Sequence, residues 1–503
     1  MAIPLPGTPI IIDIGSAYCK VGFAGEPTPR FVFPTITGTE KYKSVMVDVS
    51  ARNIYVGNDA SKMRGVLKIK HPIERGAIMD WNDFYEILNY CLYSLLRIPD
   101  MTQYPILYTE APFMQRETKE FIARVFYETH RAKSLIMIPT PILSIFSVGL
   151  TTGIVIESGD GITWICPIIN GQIVDQAVQK LTLAGTDVNQ YLKNLIMREG
   201  INIESSAVDE IIKEIKEKNC YFVLEPENSP PSKDSMNFSM PDGSNINLPN
   251  YIFHEAPEVL FQPNLLGYNM LNIPQAIINC LQAIDKYYWS DLLSHIVFSG
   301  GNLSYSGFQE RLNIELIRLL PELGNIPKPK KQTSHEAQRS KMQPIKASKK
   351  EKDTCPHCGV LVDLSTGDEF CPSCGGRIVL PTLTINGANM SKKESALIVC
   401  SNCNKIIDDK TSTFCPFCGK PVPEGQIIPK EVIKQAAPAK EFSGFYKSSE
   451  EVLNYYILEN LQLAIFNGAS ILGSLPSFQS LFVTFEAFQK NRDLLYKDIS
   501  DIF

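Results

Sequence analysis

The chain lacks any apolar run of about 18 residues, so no segment of its 503 residues reads as a membrane-spanning helix. It also lacks a surplus of one charge. Its 48 Lys+Arg against 54 Asp+Glu leave a formal net charge of -6, with no overall pull toward nucleic acid or an anionic membrane. The opening MAIPLPGTPIIIDIG lacks a basic n-region and a cleavage site, so a cytoplasmic rather than a secreted protein is expected. Evenly spread cysteine is missing too. Of the 13 cysteines, eight fall between Cys355 and Cys418 in four C-x-x-C pairs. The other five, Cys19, Cys91, Cys166, Cys220 and Cys280, stand in apolar or mixed segments and read as reduced, mostly buried thiols. What remains is an ordinary soluble composition, 44% hydrophobic and 20% charged, on a chain long enough for about two to four domains.

From residue 10 to residue 324, strand-like and helix-like segments alternate. IIIDI, PILYTEA, SLIMIP, GIVIES, TWICPII and HIVFSGG read as strands. DWNDFYEILNYCLYSLL, RETKEFIARVFYETH, TDVNQYLKNLIMREG and SAVDEIIKEIKEKNC carry apolar residues at helical spacing. SGGNLSYSGFQERLNIELIRLL reads as a strand, a glycine turn and a helix. The alternation predicts an α/β architecture. Residues 1–324 form the first part of the body, and 325–354 a lysine-rich flexible linker. The cysteine module spans 355–420, a second linker 421–451, and folded patterning resumes over 452–503. The terminal FEAFQKNRDLLYKDISDIF is expected to close the chain as a helix.

Two stretches echo each other. IIIDIGSAYCKVGFAG and GIVIESGDGITWICPIING are each an apolar strand, an acidic residue, a Gly/Ser turn and a second strand. Facing each other, they would bring Asp13 and Glu157 to a shared cation and aim backbone N–H groups at phosphates. Taken alone the pattern is weak, because turn glycines usually serve backbone geometry.

Many blocks occur in a telling order: IDIGSAYCKVGFAGEPTPRFVFPTI, TEAPF, TTGIVIESGDG, LAGTDVNQYL, IKEKNCY, PEVLFQPNLLG, SGGNLSYSG and GASILGSLPSFQ. Together they resemble actin and the actin-related proteins, in actin order, over about residues 8–324 and 452–485. The resemblance implies the two-domain α/β ATPase fold shared by actin, Hsp70 and hexokinase; the cysteine insert that interrupts it is read, from its spacing, as a small double zinc-ribbon module. It implies ATP or ADP with Mg²⁺ in the interdomain cleft. Asp13 would hold magnesium through water, since Mg²⁺ suits one or two carboxylates plus phosphate oxygens. Gly15, Ser16 and Lys20 would meet phosphates on the first hairpin, and Gly159, Asp160 and Gly161 on the second. Lys216 and Glu217 would face the adenosine, bordered by Gly185, Gly301 and Tyr305. The family's lysine beyond the adenine aligns with Gln462.

Three departures fall on the chemistry. The family's water-positioning glutamine, second-hairpin aspartate and water-ordering histidine align with Thr140, Glu157 and Trp164. Thr140 is shorter than glutamine, and Pro139 and Pro141 restrict its backbone. Glu157 adds a methylene. Trp164 donates one hydrogen bond and accepts none, so it is no base, whether or not it also packs as a core aromatic. Losing a positioned acid/base group typically costs about 10²–10⁴-fold. The expectation is therefore a slow ATPase at most.

Self-assembly into filaments is the family's other property. The loop EKYKSVMVDVSARNIYVG keeps VMV, and Phe146, Gly149, Ile471, Leu472 and Leu475 keep part of the receiving groove, whose rim tyrosine is Gln172. Tyr287, Tyr288 and Trp289 are read either as a binding surface or as packing at a helix end. In the insert, Cys355-x2-Cys358 and Cys371-x2-Cys374 are twelve residues apart, and Cys400-x2-Cys403 and Cys415-x2-Cys418 eleven. That is the spacing of two four-cysteine zinc ribbons with closed, structural ligand sets; iron is the lesser choice. As a partner-binding module they suit proteins or, through flanking lysines, nucleic acid. Three functions stand side by side: a filament-forming cytoskeletal or scaffold protein, a non-assembling subunit of a larger complex, and, remotely, a phosphotransferase on the same fold.

Overall fold

In a computed structural model, the described residues are 3–41, 54–203, 207–224, 226, 234–240, 243, 245–323 and 453–496. The backbone of five short strands between residues 352 and 428 is described as well. The ribbon cysteines, the linkers and the VMV loop lie outside these residues. The chain divides into two compact units, Met1–Lys328 with Leu397–Phe503, and Pro329–Ala396. In the smaller unit the described part is an antiparallel strand pair, Lys352–Thr354 with Leu361–Asp363.

The larger unit is built on two sheets with one recurring plan. In the first, β1 (Ile10–Ile14), β2 (Tyr18–Phe23), β3 (Phe31–Pro34), β4 (Pro105–Glu110) and β5 (Ser134–Pro139) are joined by an edge strand, Val483–Thr484. The order is edge–β5–β4–β1–β2–β3; β1 runs antiparallel to β2 and parallel to β4. In the second, β6 (Gly153–Ser158) runs antiparallel to β7 (Thr163–Ile169) and parallel to β8 (Ile296–Ser299). The strands Gln172–Ile173 and Gln179–Leu181 flank β7, and Tyr455–Tyr456 flanks β8. Central strands carry short apolar runs, the III of IIIDI and the IVI of GIVIES, because both faces are covered.

Helix α1 (Thr140–Ser147) follows β5, and every one of its residues is buried. It crosses α4 (Ala464–Ser474), of which Gly468 lies against Leu143 so closely that a Cβ there would fall 1.8 Å from the Leu143 carbonyl oxygen. Only a glycine admits that crossing. One apolar cluster runs through it, from Ile11 and Leu107 of the first sheet to Val155 and Val297 of the second. Between α1 and α4 in sequence, α2 (Gly185–Arg198) and α3 (Val208–Asn219) cover the second sheet. The α3 residues Ile211, Ile212 and Ile215 enter that sheet's core.

Three expectations change in detail. The segments 81–95 and 116–129 begin as α-helix and widen into π-helical turns at Tyr90–Leu95 and Val125–Thr129. The expected closing helix is broken: Phe485–Lys490 ends at Asn491, whose extended backbone and side-chain oxygen (2.9 Å from the Asp493 N–H) start a new turn, Arg492–Tyr496. Trp289 is buried, with its indole N–H 3.0 Å from the Ile284 carbonyl, while Tyr287 is 65% exposed. The aromatic trio therefore splits between core and surface. The five scattered cysteines are buried and free.

Candidate functional site

The turn after β1 and the turn after β6 open onto the same cavity, of about 280 Å³. That is near the lower end of small-ligand sites, about 300–1,000 Å³. Asp13, Gly15, Ser16, Lys20 and Thr140 line it from the first sheet's side, and Glu157, Gly159, Asp160, Gly161 and Trp164 from the second. Gly185, Lys216, Glu217, Gly301, Tyr305 and Gln462 complete the wall. Residues drawn from sequence positions as far apart as 13 and 462 thus converge.

On the first hairpin, Asp13 is the buried penultimate residue of β1 and faces Lys20 across the ladder. The Lys20 ammonium is 2.7 Å from Asp13 Oδ2, and the Thr109 hydroxyl donates to Oδ1 at 2.7 Å. Thr109 comes from the carboxyl end of β4, where ligands of open α/β sheets gather. The turn closes with the Gly15 N–H on the Tyr18 carbonyl, 3.0 Å.

On the second hairpin, Glu157 faces Trp164. The Thr140 hydroxyl donates to Glu157 Oε1 at 2.7 Å, and the Ser144 hydroxyl lies 3.5 Å from Oε2. Burial in the cleft pushes the Glu157 carboxyl up to about 7, with Thr140 opposing the rise and the charge of Asp13 adding to it. Beneath the turn runs a buried chain of donors: Asn302 to Ser158 at 3.0 Å, Ser158 with Thr163 at 2.6 Å, and Thr163 to the Leu183 carbonyl at 2.6 Å. Trp164 is buried against the Phe113 ring at 6.2 Å, with Lys180 Nζ 5.3 Å from its own ring. No histidine lines the cavity among the described residues.

The short hairpin 73–78 wedges between the two turns. Its Gly76 N–H reaches Ser16 Oγ at 3.3 Å. A Cβ on Gly161 would sit 2.7 Å from that same oxygen and 2.8 Å from Arg75 Cα, so glycine is required for the fit. The Arg75 side chain, on a backbone with φ of 46°, forms a forked pair with buried Asp187 at 2.9 and 3.2 Å and donates to the Thr182 carbonyl. Asp187 also accepts the Ala184 N–H at 2.8 Å at the start of α2, and the Tyr268 hydroxyl at 3.1 Å. An ion pair between Arg64 and Glu210 of α3 makes a further bridge.

On the far wall, Lys216 is buried and its ammonium donates to the Gly185 carbonyl at 3.0 Å; burial lowers its pKa. Glu217, one residue on, is exposed. The Gln462 side chain lies over Gly301, where a Cβ would come 3.0 Å from Gln462 Cγ. Glu110 lines the cavity as well, but its charge is matched by Lys119 at 2.7 Å.

Sequence reasoning did not single out Thr109, Ser144, Arg75 or Asp187 as contacts of the site. Thr109 carried a signal, its place at the end of a strand. Arg75 and Asp187 carried none, since they meet across 112 positions. Among the described residues no group of three or more His, Cys, Asp or Glu side chains is placed to hold a metal ion. No described helix is long and apolar enough to cross a membrane.

The actin family model matches residues 5–342, more than half of the chain, and this protein belongs to the actin family. The matched span contains both hairpins, Arg75, Asp187 and α3; Gln462 and α4 lie beyond it.

Proposed function

We propose that this actin-family chain holds ATP or ADP with Mg²⁺ in the cleft as a slowly hydrolysed ligand and works as a cytoskeletal or scaffold protein. The observation that carries the reading is the meeting of Asp13 and Glu157 in one cavity, on two hairpins of matching form. The donor set fits magnesium: two hard carboxylate oxygens whose mutual repulsion a divalent cation relieves, with Lys20 beside them. Asp13 and Glu157 would hold the ion, which supplies charge neutralisation for phosphate oxygens. The tip of the second hairpin suits a phosphate, because a Cβ on Gly159 would meet nothing within 4 Å.

The same wall supports slow hydrolysis. Thr140 spends its hydroxyl on Glu157 rather than on a water. Trp164 presents an indole, which takes no proton. Glu157 is thus the candidate proton acceptor at the second hairpin, and it is hydrogen-bonded in place. The eight insert cysteines, Cys355, Cys358, Cys371, Cys374, Cys400, Cys403, Cys415 and Cys418, are proposed from their spacing to hold two Zn²⁺ in a partner-binding module. A cytoplasmic location agrees with five buried free thiols.

The test is phosphate release by the purified chain with Mg-ATP, beside a Glu157→Gln control and an assay of bound nucleotide. Binding with release well below that of polymerised actin is expected. Absence of bound nucleotide at saturating Mg-ATP sinks the binding half of the reading; release at the rate of polymerised actin sinks the other half. Sedimentation with Mg-ATP separates assembly from a strictly monomeric subunit.

A further inference from the structure

Both sides of the cavity contribute one residue to a contact that needs no nucleotide. Tyr18, first residue of β2, is half-buried and lines the cavity. Lys213 of α3 is half-buried and lines it from the other side. The Lys213 ammonium stands 3.9 Å from the centre of the Tyr18 ring. Attraction of a cation to an aromatic face extends to about 6 Å, so this contact is a close one.

Neither partner has another claim on it. Lys213 forms no ion pair, and the Tyr18 hydroxyl no hydrogen bond, among the described residues. The neighbours on α3 are occupied differently: Lys216 is committed to the Gly185 carbonyl, and Ile211, Ile212 and Ile215 pin the helix to its core. At the other end, the Tyr18 carbonyl closes the first phosphate-facing turn through the Gly15 N–H. Both ends are anchored, and the two half-buried side chains meet within the cavity lining.

We propose that Tyr18 and Lys213 form a cation–π gate across the cleft that slows nucleotide release. The inference rests on nucleotide binding in this cavity. A bound nucleotide leaves only when the ring and the ammonium part. The gate is a contact of the protein with itself, so it restrains the triphosphate and the diphosphate alike.

The full chain, loaded with etheno-ATP and Mg²⁺ and chased with excess ATP, reports the release rate. Tyr18→Leu keeps apolar bulk without the aromatic face, and Lys213→Met keeps the stem without the charge. Each should speed release about tenfold. The double variant should be no faster than either single one, because both remove one shared contact. Tyr18→Phe and Lys213→Arg keep the ring face and the cation and should leave release slow; if one of the two disruptive single variants fails to fold, the other carries the test. Unchanged release in Tyr18→Leu and Lys213→Met, additive acceleration in the double variant, or fast release in Tyr18→Phe overturns the gate alone. Failure of the wild-type chain to bind etheno-ATP overturns the nucleotide reading and the gate with it.

Discussion

In the first hairpin the strand-end carboxylate, Asp13, sits across the ladder from Lys20, 2.7 Å from its ammonium. In the second, Glu157 occupies the matching place and sits across from Trp164. The backbones agree: each carboxylate is the penultimate residue of the inner strand of an antiparallel hairpin, a strand that also pairs in parallel with a neighbour. Each accepts a threonine hydroxyl at 2.7 Å, from Thr109 and Thr140. What differs is the side chain opposite. Buried charge needs a partner of opposite sign. Asp13 has one from its own hairpin. Glu157 does not, and its carboxyl is pushed up to about 7 chiefly by burial. The lysine paired with Trp164 on the next strand, Lys180, is engaged over the indole. Under the proposed nucleotide reading, hairpin geometry would set where an anion and a cation are held, and the cross-strand residue would set which carboxylate waits for the cation.

Breaking the first hairpin should have the largest effect. Asp13→Ala strands Lys20 and the Thr109 hydroxyl in a buried place, and losing one member of a buried pair costs about 3–5 kcal/mol. If that whole cost falls on ligand binding, Mg-ATP affinity drops at least about 10²-fold by titration calorimetry. An affinity within a few-fold of wild type would mean that the two hairpins do not share one cation site. A smaller effect of opposite sign is expected at the second hairpin. Trp164→His with Thr140→Gln restores the side-chain types that the family resemblance places there. Phosphate release should rise about 10²-fold, the lower end of what a positioned acid/base group contributes. A double variant that binds Mg-ATP but releases phosphate no faster would assign the slow step elsewhere.

Much of this arrangement is legible in the residues. The central strands carry apolar runs up to their carboxylates because both faces are covered, and α2 and α3 announce themselves by apolar spacing. The echo between IIIDIGSAYCK and GIVIESGDGITW is a local pattern, and it turned out to be two hairpins of like pairing facing one cavity. What escaped is what depends on distant partners. Nothing around Arg75 says that its guanidinium will meet Asp187, or that its turn will fill the gap between Ser16 and Gly161. Tyr18 and Lys213 meet through side chains on different elements, which periodicity does not encode. The π-helical widening at Tyr90–Leu95 has no signal in the apolar spacing, and the break at Asn491 comes with a single capping oxygen, against a pattern that favours continuous helix. The insert's C-x-x-C spacing is the opposite case: legible in the cysteines, it lies outside the described residues.

The subtlest consequence of the comparison is a pH effect confined to the second hairpin. Without a cation, folded Glu157 keeps its proton up to about pH 7, whereas its ordinary pKa is 4.5. The folded state therefore binds more protons than the unfolded state between those values, and stability falls as pH rises through that window. This contribution is fully present below pH 4.5 and gone above about 7. Partial solvent contact through the cleft reduces it, and about 1–2 kcal/mol is expected. Glu258, raised to about 7 by burial, titrates in the same window and must be held constant. Comparing wild type with Glu157→Gln does this. In urea unfolding without nucleotide, wild type should lose about 1–2 kcal/mol more than Glu157→Gln between pH 5.5 and 7.5. Saturating Mg-ATP should shrink the difference or reverse its sign, since a bound cation favours the charged carboxylate. Identical pH profiles for the two proteins would mean that Glu157 is already paired without ligand, and the contrast between the hairpins would collapse.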